Sequence, residues 1–371
     1  MDQKGTAAVS VCLLGLVCGS ARSQTRDVTT SPVGPPTLEN LLDPAPIRSQ
    51  LPPRFPTARA PVPDEAAIGA AIEVIREAFA EDYASVSKWP KATCRKFMDV
   101  AESTLDPARR LALLREAERI ARESHNMRDA MAAATQRVAS FELESFAELI
   151  EAVAKCAEHK ASAADSYAFS LAIASDSMKA EHFVESNAAI DLALRCARLV
   201  DKDEREKASE IRRKSRGTAR LPLAKSPQML ADALDLQRAM RIRESAFVDC
   251  EHSKTVLLVN PRDPQANGCV GRYLCFHREQ WGEGLPFLAA SDEPTIRAIC
   301  EQEIAAIEKP SPGAVMDVAG RWWALTSDEK LPNGEQFAIL AHARQLYQNV
   351  LPLLTDPVDR ALAERRGDSS E

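Results

Sequence analysis

The sequence predicts an all-α protein, a stack of helix-turn-helix units, and three observations predict it. The composition is 45% hydrophobic but only 5% aromatic, which describes a core of Ala and Leu more than one of rings. From Asp64 onward, apolar residues recur at spacings of three and four, the period of one helix face. Short blocks of sequence also return at intervals of 36 to 49 residues, the range of two-helix repeats. Strand signals are almost absent. Only "FVDCEHSKTVLLVN", Phe247 to Asn260, holds a short β-branched run, and it reads equally as a helix end.

Residues 1 to 23 read as an export signal. Lys4 gives a weak positive start, Thr6 to Cys18 is apolar and uncharged, and Gly19, Ser20, Ala21 and Ser23 are small, so cleavage falls after Ala21 or Ser23. The apolar run is shorter than the about 20 residues of a spanning helix, so no stable membrane anchor is expected after cleavage. Cys18 admits a lipoprotein reading, against which Val17 stands, because a small residue normally precedes a lipidated cysteine. The expected location is the periplasm, the cell envelope or the exterior. Residues 24 to 63 hold ten of the 23 prolines. Proline removes backbone donors and favours extended chain, so this stretch is expected to be a disordered tether.

A first helical block is expected over 64–213. Asp64 follows Pro63 as an N-cap, and Ile68, Ile72, Ile75 and Phe79 make one apolar face. Asp106 and Pro107 repeat the cap and first-residue signal. The pentads "AERIA" (Ala117 to Ala121), "VAKCA" (Val153 to Ala157) and "ALRCA" (Ala193 to Ala197) lie at offsets of 36 and 40. In each, a basic residue (Arg119, Lys155, Arg195) precedes a buried one (Ile120, Cys156, Cys196), and an alanine lets a neighbouring helix approach. A linker is expected at 214–228, where "SRGTARLPLAKSPQ" carries a glycine and two prolines and loses the apolar period.

The second block, 229–366, carries two copies of a Gly-Arg-aromatic unit, with a disordered tail expected at 367–371. "VGRYLCF" (Val270 to Phe276) and "AGRWWAL" (Ala319 to Leu325) lie 49 residues apart, each behind a proline-rich boundary and ahead of a Leu-Pro pair at Leu285 or Leu351. Mid-helix glycine costs about 1 kcal/mol relative to alanine, so Gly271 and Gly320 are expected where a partner helix lies close. Tyr273, Trp322 and Trp323 would fill the space between units. Pro286 is expected in the first turn of a helix starting near Gly282, and Pro352 at a kink or helix restart.

"NPRDPQANGCVGRYLCFHREQWGEGLPFLAASDEP" resembles a degenerate tetratricopeptide repeat: a proline-bounded helical pair with small residues at Gly271 and Gly284. Together with "PVPDEAAIGAAIEVIREAFAEDYA" and the "GRWWAL" to "LPLL" segment, it resembles helical modules of exported planctomycete proteins of unknown function. The resemblance implies a tetratricopeptide-like solenoid and carries over no catalytic residue. The Trp-Leu-Gly signature of a strong repeat is missing.

The formal charge of −7 becomes −8 without residues 1 to 23, because Asp2, Lys4 and Arg22 together contribute +1. A mildly acidic chain has no electrostatic footprint for nucleic acid, and the basic run Ile211 to Arg220 reads as a solvated helix end. Cys269, Cys275 and His277 with Cys250 and His252 form two Cys-x-His pairs, but residues two apart diverge on a helix, so buried cysteines and surface histidines are the reading and no metal is expected. Cys156 and His159 share a face, with core and surface roles. Seven cysteines remain after signal removal, an odd number, so at least one thiol is expected to be free. Ser85 and Lys88 fit Ser-x-x-Lys without its companion motifs.

With no catalytic residue and no cofactor expected, three functions remain. The leading one is a non-enzymatic module that binds another protein or peptide of the envelope or exterior in a groove of stacked helices. The others are a self-associating envelope component and an enzyme on an extracellular polymer. Trp322 and Trp323 are the candidate partner contacts. Adjacent helical residues diverge by about 100°, so one ring can face out while the other is core, or both can pack inside.

Overall fold

Proline and aspartate set where many of the helices begin. Our computed structural model describes residues 59–214, 223–327 and 331–368. The expected export signal, the tether up to residue 58, residues 215–222 of the junction and residues 369–371 lie outside the described residues. Fifteen α-helices occur among the described residues. The first half holds α1 (Glu65–Ala78), α2 (Ala80–Ser85), α3 (Pro90–Ser103), α4 (Pro107–Glu123), α5 (Met127–Ser140), α6 (Ser145–Ala157), α7 (Ala163–Lys179) and α8 (Phe183–Lys214). The second holds α9 (Ser226–Val259), α10 (Pro264–Arg272), α11 (Trp281–Ala289), α12 (Pro294–Glu308), α13 (Pro312–Leu325), α14 (Asn333–Val350) and α15 (Pro357–Gly367). Asp64 accepts from the Ala67 amide at 2.7 Å and Asp106 from the Arg109 amide at 2.7 Å, so both expected caps are in place. Proline opens α3, α4, α10, α12, α13 and α15, where its missing N–H has no intrahelical acceptor.

Phe247 to Val259, where strand and helix were equally readable, is the end of α9. Among the described residues the sole β-pairing is one parallel bridge between Ala60 and Phe141. It pins the last residues of the expected tether. The Ala60 amide donates to the Ser140 carbonyl at 2.9 Å, and the Glu142 amide to the Ala60 carbonyl at 2.9 Å.

Each helix packs on its successor in most of the chain, and α3, α5, α6 and α7 also pack on the next but one, α5, α7, α8 and α9. One apolar core runs from Ile68 in α1 to Met240 in α9. The three pentads sit on α4, α6 and α8, with their Ile120, Cys156 and Cys196 and the following alanines all buried. Alternate helices therefore carry the same inward pattern. Between them, α7 is buried on nearly every side, its Ala and Ser residues set among Tyr167, Phe169, Leu171 and Ile173. Ser170 donates to the Ser166 carbonyl at 2.8 Å and Ser177 to the Ile173 carbonyl at 2.7 Å, so these small residues let neighbours close in while their hydroxyls stay satisfied.

The second half departs from the expected repetition of one unit. After α10 the chain widens into a π-helical turn, Tyr273–His277, whereas the matching residues of α13 stay α-helical. Gly271 is a true close approach: an added Cβ would lie 2.7 Å from Leu288 Cγ and 2.8 Å from the Leu288 nitrogen. Gly284 is another, with Cys275 Sγ at 2.4 Å. Gly320 is not. An added Cβ there meets only the Tyr347 hydroxyl at 3.6 Å, an ordinary contact. Tyr273 is buried against Phe247 with centroids 5.8 Å apart, and its hydroxyl donates to Glu181 at 2.7 Å. Pro286 also differs from expectation. Because α11 starts at Trp281, this proline lies in the helix interior, past the first turn. Pro352 behaves as expected: α14 stops at Val350 and a 3₁₀ turn, Leu351–Leu353, leads to α15.

Candidate functional site

Trp322, one of the two candidate partner contacts, is fully buried and offers no ring to a partner. Val318, Ala319 and Leu325 share its inward face. Its indole Nε1 donates to Glu303 at 2.6 Å, and the second Glu303 oxygen lies 2.8 Å from His342 Nε2. The His342 ring stacks on Trp281 at 3.5 Å between centroids. This is a polar knot inside the second block, where indole, carboxylate and imidazole satisfy one another. Trp323 is half-buried, with the Arg366 guanidinium 5.3 Å above its ring and Tyr347 edge-on to it. A partner would have to displace Arg366, which also donates to the Tyr347 hydroxyl at 2.7 Å.

The cysteine and histidine candidates disperse. None of the seven described cysteines is in a disulfide, and all but Cys269 are buried. Burial pushes the thiols of Cys156, Cys196 and Cys250 up to about 11. His277 is half-buried where a surface position was expected. Burial, and then the charges of Arg243 and Arg272, pull its imidazole down to about 4. His159 is exposed and stacks on His125 at 3.5 Å. No group of three or more His, Cys, Asp or Glu side chains among the described residues is placed to hold a metal ion.

The site that sequence reasoning missed lies in the first block. A cavity of about 400 Å³ runs between α4 and α6, with α5 contributing its floor. Helix α4 lines it with Leu111, Arg115, Glu116, Glu118, Arg119 and Arg122. Helix α6 supplies Glu148, Glu151 and Lys155, α5 supplies Arg137, and the loop before α6 supplies Leu143. Five cationic side chains thus meet four acidic ones, with two leucines. Arg119 and Lys155 are the basic members of two of the repeated pentads, so the repeat itself places them across one groove.

Three of these charges are buried in the floor: Glu116, Glu118 and Arg137. Arg137 donates to Glu118 on α4 at 3.1 Å and also pairs with Glu148 on α6, so one guanidinium ties both walls. Glu116 accepts from the Tyr83 hydroxyl at 2.8 Å and from Arg119 at 2.9 Å. Burial alone would raise the Glu116 carboxyl, but the hydrogen bonds from Arg119 and Tyr83 outweigh it and hold it below the usual carboxylate value. Burial, then the hydrogen bond to Glu116, raises the Tyr83 hydroxyl well above its ordinary range. Buried ion pairs rarely contribute net stability over apolar packing.

Above the floor the two walls are not joined. Along α4, Arg115 pairs with Glu65 of α1 at 2.9 Å, and Arg119 pairs with Glu116 and Glu123. Arg122 has no side-chain partner among the described residues. Along α6, Glu151 pairs with Lys155 at 2.6 Å. No ion pair runs from an α4 arginine to an α6 carboxylate among the described residues, although the charge of Glu148 is felt at Arg115.

No family model matches the chain, and no curated protein and no solved structure is similar to it at a significant level. No helix among the described residues is long and apolar enough to cross a membrane.

Proposed function

We propose that this chain is an exported, non-enzymatic interaction module of the cell envelope or exterior: a tetratricopeptide-like stack of helix pairs whose α4–α6 groove receives a segment of a partner protein. The observation that carries the reading is the charged groove whose walls Arg137 ties at a fixed spacing, with no ion pair from an α4 arginine to an α6 carboxylate among the described residues. The recurrence of the pentad on α4, α6 and α8, with a second helix between each, supports the stacked-pair arrangement. Tyr83 holds Glu116, and Arg137 holds Glu118. That leaves the floor a scaffold for the rims, with its proton-transfer groups already occupied, and favours binding over catalysis.

The test is a capture experiment with residues 24 to 371 as bait on envelope and secreted fractions of the source cell. An Arg122→Glu, Lys155→Glu variant stands beside it, because both residues lie on the rim and neither holds the buried floor. A specific protein retained by the parent and lost by a variant with unchanged helical circular dichroism supports the reading. Equal capture by both, or recovery of the bait alone, refutes it.

A further inference from the structure

A second cluster of titratable groups lies outside the groove, on α9 and the π-helical turn. Arg243 and Phe247 are four residues apart and share one face of α9. Phe247 packs on Tyr273 at 5.8 Å between centroids, and the His277 ring lies 5.7 Å from Tyr273 in turn. Tyr273 thus brings the Arg243 face of α9 towards the imidazole. Arg243 and His277 are both half-buried, so each keeps an edge at the surface. Neither makes an ion pair or a side-chain hydrogen bond among the described residues, and Arg243 Nε is shielded from solvent without an acceptor.

The surrounding charges leave this place positive. Those that act on the imidazole are Arg243 of α9 and Arg272 of α10, and no carboxylate of α9, α10, α11 or α14, the helices packed on the turn, counters them there among the described residues. The nearby carboxylates are occupied. Glu181 accepts from the Tyr273 hydroxyl at 2.7 Å and pairs with Arg278 at 3.3 Å, while Glu293 and Glu335 pair with Arg272. A guanidinium without a counter-ion therefore stands beside an imidazole without a hydrogen-bond partner. Such a pair suits an oxyanion, the guanidinium through its fork of N–H groups, the imidazole through one N–H and a proton it can take up. A carboxylate brings one negative charge, whereas Arg243 and a protonated His277 together present two positive ones. We propose that Arg243 and His277 form a binding site for a doubly charged tetrahedral oxyanion, a phosphate or sulfate group, which draws a proton from solvent onto His277 as it binds. The site is separate from the α4–α6 groove and does not depend on the interaction-module reading.

Proton uptake gives the proposal a sign. Burial and the two arginines hold the empty imidazole at about 4, and an anion in contact with it favours the charged form, moving it to about 6. Between those values the occupied site holds a proton that the empty one lacks, so the oxyanion binds more tightly as pH falls. From about pH 7 to about pH 5 the gain is about tenfold.

The experiment is histidine-selective carbon NMR of the full chain, titrated with sodium sulfate against sodium chloride of equal ionic strength, with His277→Gln to assign the resonance. Sulfate keeps both its charges across the range. It is expected to raise the His277 midpoint and to bind about tenfold more tightly at about pH 5 than at about pH 7. Arg243→Gln should weaken binding about tenfold, and Arg195→Gln, at an exposed residue of α8, should leave it unchanged. Inorganic phosphate beside phenyl phosphate then assigns the site to the free ion or to a phosphate ester, whichever binds more tightly. A His277 resonance that sulfate does not move, or that chloride moves equally, overturns the proposal in the parent chain alone, whatever the stability of the variants. Undiminished binding in an Arg243→Gln variant of unchanged helical circular dichroism, or equal weakening by Arg195→Gln, overturns it as well.

Discussion

Gly271 and Gly320 hold matching places in the two Gly-Arg-aromatic blocks, yet alanine at each should move stability in opposite directions. At Gly271 the new methyl would lie 2.7 Å from Leu288 Cγ and 2.8 Å from the Leu288 backbone nitrogen, where carbon contacts normally settle at about 3.5 to 4.0 Å. A side chain could rotate away, but a backbone nitrogen moves only with its helix, so α11 must shift from α10. Overpacking of that kind costs about 1 to 3 kcal/mol, and the gain in helix propensity returns about 1 kcal/mol. With backbone in the clash the cost belongs near the top of its range, leaving Gly271→Ala about 2 kcal/mol less stable. At Gly320 the methyl meets the Tyr347 hydroxyl at 3.6 Å, so Gly320→Ala keeps the propensity gain and is about 1 kcal/mol more stable. Urea unfolding followed by far-ultraviolet circular dichroism reads both, as shifts of midpoint at constant slope. Shifts of the same sign for the two variants would refute the argument that helix approach, not sequence pattern, decides the role of these glycines.

Two further predictions concern buried polar groups. His277 sits well below its ordinary 6.5, at about 4, so between those pH values the unfolded chain binds a proton that the folded chain refuses. Stability is full above about pH 6.5 and falls by about 2 to 3 kcal/mol on the way to pH 4. His277→Gln should flatten that slope in melts run across the window. Glu303→Ala strands the Trp322 indole and His342 in a dry core, at a cost of about 3 to 5 kcal/mol. Glu303→Gln retains a hydrogen bond to each and should cost about 1 kcal/mol; tryptophan fluorescence in urea separates the two, and equal losses would contradict the hydrogen-bonded role.

Local signals were legible because each depends on a few neighbouring residues. The caps at Asp64 and Asp106, the opening prolines and the buried alanines of the pentads follow from chain geometry alone. Even Trp322 had a readable phase, since Val318, Ala319 and Leu325 lie on its side of α13, although the doublet invites attention to both rings. Gly320 misled because identical residues before an aromatic imply identical packing only when the following backbone is alike, and the π-helical turn after α10 makes it different. The groove was illegible for another reason. Arg115, Arg119 and Arg122 have the spacing of any solvated helix face, and nothing local says that α6 will lie opposite. That depends on the turns flanking α5 and on Phe141, fully buried beside the Ala60 bridge.

Two kinds of charge pair differ in what they fix. On the exposed end of α8, Arg205, Lys207 and Lys214 each pair with the carboxylate four residues earlier, an arrangement that any isolated helix can make and that contributes a few tenths of a kcal/mol at most. Around the groove, beside the within-helix pairs of Arg119 and Lys155, others run between helices: Arg115 to Glu65 joins α4 to α1, Tyr83 to Glu116 joins α2 to α4, and Arg137 joins α5 to both α4 and α6. Such pairs fix distances between elements, because each is satisfied in one relative placement only. With the floor so fixed, the two rims keep their separation. A groove free to close would join its two rims by ion pairs; this one keeps each rim paired within itself, Arg119 to Glu123 along α4 and Lys155 to Glu151 along α6.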